Sequence, residues 1–195
     1  MTNRPVALVT GATRGIGRAI AVELSSTHRI LVGGRDAARA RELVAELDDA
    51  APFVCDLADE DAVAAACAGI GRLDVLVHSA GIGRSNDIGL ASRALWREVF
   101  ETNVFAVADL TRLLLPALEA ARGIVVAINS GAGFFSSPGG GVYAGSKFAL
   151  RALTDALREE MRGKVRVCSI HPGRTDTDMQ RELQAAMGNE HYNGS

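Results

Sequence analysis

The sequence predicts an α/β protein: a doubly wound parallel β-sheet with helices on both faces, in three αβα layers. Three observations lead there. Short apolar runs alternate with longer amphipathic stretches six times over, most of the runs are apolar throughout, and a glycine-rich turn joins the first run to the first amphipathic stretch. Strand alternating with helix builds a parallel sheet, and strands covered on both faces have no polar side to display in sequence.

The strand-like runs are VALVT (6–10), RILVG (29–33), PFVC (52–55), VLVHS (75–79), GIVVAINS (123–130) and VRVCSI (165–170). After the first, Ile16, Ile20 and Leu24 recur at helical spacing through GRAIAVELSS, one stripe facing the sheet. The helical stretches DAARARELVAEL and DEDAVAAACAGI follow the second and third strands, with Asp36 and Asp59 placed as N-caps. The longest helical pattern runs from about residue 92 to 121 and carries Leu95, Trp96, Val99, Phe100, Val104, Val107, Leu110 and Leu114. These lie on more than one face, and a sheet-facing stripe does not need them all. The surplus predicts a partner surface and a homodimer or homotetramer. A further helix opens near Tyr143. There is no internal linker, repeat or low-complexity segment, so residues 1–195 read as one domain.

Composition narrows the function classes. Apolar residues make up 48% and charged residues 23%, with a net charge of −2 and no run of Lys and Arg, which argues against a nucleic-acid partner. No stretch approaches the ~18 apolar residues of a membrane span, and no signal-like apolar core precedes the first strand, so a cytoplasmic protein is expected. Cys55, Cys67 and Cys168 are odd in number, widely spaced and free of any CxxC pattern, which predicts reduced thiols and no metal site. Cys55, inside PFVCDL, reads as a small core residue.

The chemistry concentrates in two places. In TGATRGIG (10–17), glycines at 11, 15 and 17 permit a tight turn, close approach of a pyrophosphate and a helix–sheet contact. In VYAGSKFAL (142–150), Tyr143 and Lys147 lie four residues apart on one helical face. A free phenol, with a pKa of ~10, exchanges protons poorly at neutral pH, and a neighbouring cation lowers such a value by ~1–3. Lys147 is expected to supply that cation, making the phenol a general acid or base. Ser130 ends the fifth strand and Tyr143 starts the next helix, so both reach the sheet edge that the glycine turn occupies.

Taken in order, TGATRGIG, HSAG (78–81), Asn103, Ser130, YAGSK (143–147) and HPGRTDT (171–177) span residues 5 to about 180. In these motifs the chain resembles the short-chain dehydrogenase/reductase (SDR) family, in its single-domain branch with a Rossmann-type fold. The resemblance implies an oxidoreductase that reduces a carbonyl, or oxidises the matching secondary alcohol, by hydride transfer. It implies four catalytic residues: Ser130 to hold the substrate oxygen, Tyr143 to exchange the proton, Lys147 to bind the nicotinamide ribose, and Asn103 to position a relay water. Implied cofactor contacts are Gly11, Thr13, Arg14, Gly15, Ile16, Gly17, Arg35, Asp56, Leu57, Ser79, Ala80, Gly81, Asn103, Tyr143, Lys147, Pro172, Gly173, Thr175 and Thr177. Of these, Asp56 matches the residue that meets the adenine, and serves equally as a turn residue.

NADP(H) is favoured over NAD(H). Gly34 occupies the position where an acidic side chain holds the NAD ribose, Arg35 follows it, and Arg14 approaches from the glycine turn, two guanidiniums for a 2′-phosphate. A register shift of two would bring Asp36 there and reverse the choice. The chain departs from the family where His78 and Ser79 replace asparagine, which leaves that residue's sheet-bracing bonds open, and where Thr175 replaces an aliphatic residue. His171 has no role in the family scheme and reads as structural or pocket-lining. Phe134 and Phe135, in AGFFSSPGG (132–140), point to an apolar or aromatic carbonyl substrate. Competing readings are a non-catalytic NAD(P)-binding redox sensor or scaffold, which would be expected to have lost Tyr143 or Lys147, and an epimerase or dehydratase of the longer branch, which has another glycine spacing. The tail NEHYNGS stops before the helix and strand with which the family usually ends, so a C-terminal truncation is expected.

Overall fold

Each strand is followed by enough chain to cross back over the sheet, so neighbouring strands run parallel. The computed structural model describes residues 4–186. In order it forms β1 (Val6–Val9), α1 (Gly15–Ser25), β2 (Arg29–Gly34), α2 (Ala37–Glu46), β3 (Ala50–Val54), α3 (Glu60–Cys67) and β4 (Val75–His78). There follow α4 (Arg93–Phe100), α5 (Ala106–Ala121), β5 (Ile124–Ile128), α6 (Gly141–Glu160), β6 (Arg166–Ile170) and α7 (Asp178–Ala186). Among the described residues the six strands make one parallel sheet in the order β3-β2-β1-β4-β5-β6, with Val9 opposite Val32 on one side and Val77 on the other. The chain moves outward from β1 to β3, crosses back to β4, then moves outward again. The strand order thus reverses between β1 and β4, and a crevice opens there at the carboxyl ends of the strands.

Alternate residues of each strand feed opposite cores. Ala7, Val9, Val32 and Val77 pack with Ile16, Ile20 and Leu24 of α1 and Leu43 of α2. Leu8, Leu76 and Val125 pack on the other face with Val63 and Cys67 of α3 and Leu110, Leu114 and Leu118 of α5. The predicted caps form: the Asp36 carboxylate accepts from the Ala38 and Arg39 amides at 2.9 and 3.2 Å, and Asp59 from Ala62 at 3.0 Å. Cys55 is buried as expected, and burial, with Asp56 and Asp59 nearby, pushes its thiol pKa up, away from reactivity.

Three expectations change. The run VRVCSI is not covered on both faces: β6 lies at the sheet edge, with Arg166, Cys168 and Ile170 exposed. The helical pattern of 92–121 is not one helix, because a π-helical turn, Glu101–Phe105, separates α4 from α5 and holds Asn103 at its centre. Such turns widen the backbone and gather at functional sites. Helix α7 has a short apolar stripe and was not expected; Thr177 caps it, its Oγ1 accepting from the Gln180 amide at 3.2 Å. The tail NEHYNGS lies outside the described residues.

The bracing left open at His78 is solved differently. The buried ring places Nε2 2.9 Å from Thr111 Oγ1, whose own proton goes to the Val107 carbonyl at 2.7 Å, so Nε2 carries the donor proton. This bond pins β4 to α5. Burial lowers the imidazole pKa from 6.5 to about 4, which keeps it neutral. The loop after β4 is held by Thr10, whose Oγ1 accepts from the Ser79 and Ala80 amides, both at 3.1 Å. No helix among the described residues is long and apolar enough to cross a membrane.

Candidate active site

The crevice begins with backbone geometry. Gly11 and Gly15 have φ of 63° and 55°, in the left-handed region that favours glycine. A Cβ on Gly17 would stand 2.3 Å from the Gly11 carbonyl oxygen, and one on Gly11 would stand 2.8 Å from Ala80 Cα. The turn therefore folds against both its helix and the loop after β4, and leaves the first amides of α1 facing the crevice. That cradle fits a pyrophosphate, for which glycine turns at helix N-termini are suited.

The cleft is lined by the whole glycine turn from Gly11 to Gly17 except Ala12, by Arg35, Asp56, Leu57, Ser79, Ala80, Gly81, Tyr143, Lys147 and Thr177. Asn103, Pro172, Gly173 and Thr175, expected at the cofactor, do not line it. Gly173 and Thr175 are exposed, and the Pro172 carbonyl accepts from the Gly131 amide at 3.2 Å. Asp56 is a turn residue, its carboxylate accepting from the Ala58 amide at 3.1 Å, and it also faces the cleft. Arg14 sits 3.4 Å from Glu182 and 3.9 Å from Asp178 of α7, while Arg35 lines the cleft.

Beyond the end of β5, Ser130, Tyr143 and Lys147 come together between β5 and α6. The Ser130 hydroxyl is near enough to the phenol to draw its pKa down. Lys147 Nζ is buried, donates to the Ile128 carbonyl at 3.0 Å and stands 5.7 Å from the centre of the Tyr143 ring. The expected lowering of the phenol pKa is not found in the protein alone. Burial raises it above 10, and the Ser130 hydroxyl offsets part of that rise. The ammonium is itself desolvated, and burial brings its pKa from 10.5 down to about 8.

Asn103 is buried and its side chain is fully engaged. Oδ1 accepts from the Ile82 amide at 2.9 Å, and Nδ2 donates to the Ile82 carbonyl and to Ser146 Oγ, both at 3.0 Å. Ser146 in turn donates to the Tyr143 carbonyl at 2.7 Å. The carboxamide therefore braces the loop after β4 against α6, and does not itself reach the lysine. Two residues escaped the sequence reading. Ser146 is one, hidden inside YAGSK. Asn129 is the other: its Oδ1 accepts from the Ser130 amide at 3.0 Å and its Nδ2 donates to the Lys147 carbonyl at 3.2 Å. A polar residue ending a buried strand was the available signal.

Keeping Lys147 ionised at pH 7 costs the fold on the order of 3 kcal/mol, at about 1.4 kcal/mol per pKa unit. Its folded pKa lies below its unfolded one, so the unfolded chain binds the extra proton; the penalty is complete below pH 8 and is relieved as pH rises toward 10.5. Lys147→Met should therefore be more stable than the parent at pH 7, by about 1–3 kcal/mol once the lost bond to Ile128 is allowed for. The advantage should vanish by about pH 10. Urea midpoints across that range measure it, and a gain that grew with pH would contradict the burial.

Comparison with known proteins places this arrangement. The family model for short chain dehydrogenase matches residues 5–188. Serine 3-dehydrogenase from Agrobacterium fabrum is 38% identical over 180 residues, covering 88% of this chain and 72% of that protein. The 3-oxoacyl-[acyl-carrier-protein] reductase FabG of Pseudomonas aeruginosa is 35% identical over 192 residues, covering 93% and 78%. Among solved structures, a metagenomic short-chain oxidoreductase in complex with NADP superposes with a TM-score of 0.81 at 36% identity, covering 95% of this chain and 90% of that one. The chain belongs to the short-chain dehydrogenase family, enzymes that act on CH–OH or C=O groups.

Proposed function

We propose that this chain is an NADP(H)-dependent carbonyl reductase, running equally as an alcohol dehydrogenase, with Tyr143 as general acid or base. The observation that carries the reading is the meeting of the Ser130 hydroxyl, the Tyr143 phenol and the Lys147 ammonium beside the glycine cradle. The bound nicotinamide supplies or accepts the hydride. Ser130 holds the substrate oxygen beside the phenol. Tyr143 gives that oxygen its proton as the carbonyl becomes an alcohol, or takes it in the reverse direction. Lys147 stabilises the phenolate that results and holds the ribose. Its pKa near 8 makes it a proton reservoir for the phenol at working pH. Phe134 and Phe135, exposed a few residues after Ser130, support an apolar or aromatic carbonyl substrate.

Tyr143→Phe should lower kcat by at least a thousandfold, toward the upper end of what general acid–base catalysis contributes (~10²–10⁴). NADPH affinity should stay within about twofold, since the phenol meets the reacting oxygen and not the phosphates. Stopped turnover assays on a panel of ketones, aldehydes and quinones, with fluorescence titration of NADPH, separate the two. Retention of most of the rate would remove Tyr143 from the chemistry.

The preference for NADP(H) rests on the end of β2. Gly34 offers no carboxylate, and a Cβ there would stand 2.9 Å from Thr13 Cγ2. Asp36 caps α2 through one carboxylate oxygen and does not line the cleft. Arg14 must leave Asp178 and Glu182 to meet a 2′-phosphate, but exposed ion pairs are worth only ~0–1 kcal/mol, and a phosphate takes a guanidinium with two directed bonds. The metagenomic relative was solved with NADP. In steady-state assays kcat/KM should favour NADPH over NADH at least tenfold, and Arg14→Ala/Arg35→Ala should erase the preference. A parent enzyme that prefers NADH rules the assignment out.

Phe105 and Phe148 are 53% and 43% exposed, on the π turn and on α6, and an apolar groove runs between α5 and α6 along Leu115, Leu153 and Ala156. We assign this face to self-association across a two-fold axis. Light scattering should give a dimer or tetramer at micromolar concentration, and a monomer would overturn the assignment. The three unpaired thiols suit a reducing, cytoplasmic setting.

A further inference from the structure

Ser130 is useful only if its hydroxyl keeps one direction, and its surroundings do not guarantee that. It opens a single 3-10 turn, Gly131–Gly133, with two glycines that lose much conformational freedom when ordered. Three of its bonds are local in the chain, although Asn129 is itself tied to the Lys147 carbonyl at 3.2 Å. Its amide donates to Asn129 Oδ1 at 3.0 Å, its Oγ accepts from the Ala132 amide at 3.1 Å, and its carbonyl accepts from the Gly133 amide at 3.0 Å. The fourth comes from far along the chain: His171 Nδ1 stands 2.9 Å from the Ser130 carbonyl oxygen.

The histidine is well placed for this. It follows β6, whose end already holds the end of β5, through Asn129 N–H to the Ile170 carbonyl at 2.7 Å and Gly131 N–H to the Pro172 carbonyl at 3.2 Å. A carbonyl only accepts, so Nδ1 must carry the ring proton. In the neutral ring Nε2 is then bare and accepts from the Ser169 hydroxyl at 3.0 Å. The ring also packs on Phe134, 4.3 Å between centroids, so it has a partner on both nitrogens and a face against the turn it holds.

We infer that His171 is a positioning residue, which clamps the Ser130 carbonyl through Nδ1–H and thereby fixes where the Ser130 hydroxyl points. The inference rests on Ser130 as the group that holds the substrate oxygen. It predicts a loss confined to the chemical step, because misplacing a reacting group by about 1 Å costs up to ~10²-fold while cofactor contacts stay intact.

Two amides distinguish the nitrogens. In His171→Asn the side-chain NH₂ falls near the Nδ1 position and can still donate to Ser130. In His171→Gln it falls near Nε2 and meets Ser169 instead. His171→Asn should keep kcat within about threefold of the parent, whereas His171→Gln and His171→Phe should lose about ten- to hundredfold. NADPH affinity and Tm should be unchanged in the Asn and Gln variants. In a Ser130→Ala background, His171→Gln should cost nothing more. Equal losses in the Asn and Gln variants, or a full further loss on top of Ser130→Ala, would overturn the inference. Independently of any turnover, ¹⁵N spectra of the cofactor-free parent should show a proton on Nδ1 of His171. An Nε2–H tautomer would overturn it too. If the parent reduced no carbonyl at all, the proposed function would fail while the nitrogen spectrum still decided the bond.

Discussion

The site is organised around one costly group, the buried ammonium of Lys147. It has left water for the floor of a cleft where, among the described residues, the Ile128 carbonyl accepts from it. A cation with so little compensation persists only where the surrounding fold is strong enough to hold it. Here that strength comes from two cores on opposite faces of the sheet, with α6 secured against β5 by Leu150 packing on Val107 and Ala127. The same burial that depresses the ammonium pKa raises that of the phenol one turn away. Two groups whose ordinary values stand half a unit apart in the same direction of titration are thus driven apart, the amine toward neutrality and the phenol toward protonation.

That separation gives the site its chemistry. In the protein alone the phenol is a held acid, protonated throughout the physiological range. In the proposed mechanism it becomes usable when positive charge gathers beside it, and Lys147 is the protein's share of that charge. The polar residues around the pair have a mechanical purpose. Asn129 joins the Ser130 amide to the Lys147 carbonyl, Ser146 joins the Tyr143 carbonyl to Asn103, and Asn103 joins that pair to Ile82. The side chains proposed as catalytic, after β5 and on α6, are thereby tied at main-chain level to the loop after β4.

Much of this was legible in the sequence, and the reasons differ from element to element. The strands β1, β2, β4 and β5 were plain because apolar runs of that length have little else to do, and Asp36 and Asp59 were plain because a cap acts on amides two or three residues away. The phosphate cradle was readable because its glycines satisfy a local backbone demand. What was hidden depends on partners distant in the chain. Nothing near His171 announces a bond to residue 130, and nothing near His78 announces Thr111. The π turn is similarly silent, since the carboxamide of Asn103 is drawn to Ile82, on the other side of α4 in sequence. The rise of the Tyr143 pKa in the protein alone was hidden for the same reason. Spacing shows that a lysine lies on the phenol's face, but not how much water both have lost.

The central claim is that burial keeps the Tyr143 phenol protonated until cofactor charge joins that of Lys147. The chain has two tyrosines, 143 and 192, so ¹³Cζ-tyrosine NMR with a Tyr143→Phe control assigns the signal directly. Titrated without ligand, Tyr143 should ionise above 10; saturated with NADP⁺, it should ionise at least one unit lower, the effect of an added cation at close range (~1–3 units). A phenol that titrates at the same pH with the cofactor fully bound would contradict the account.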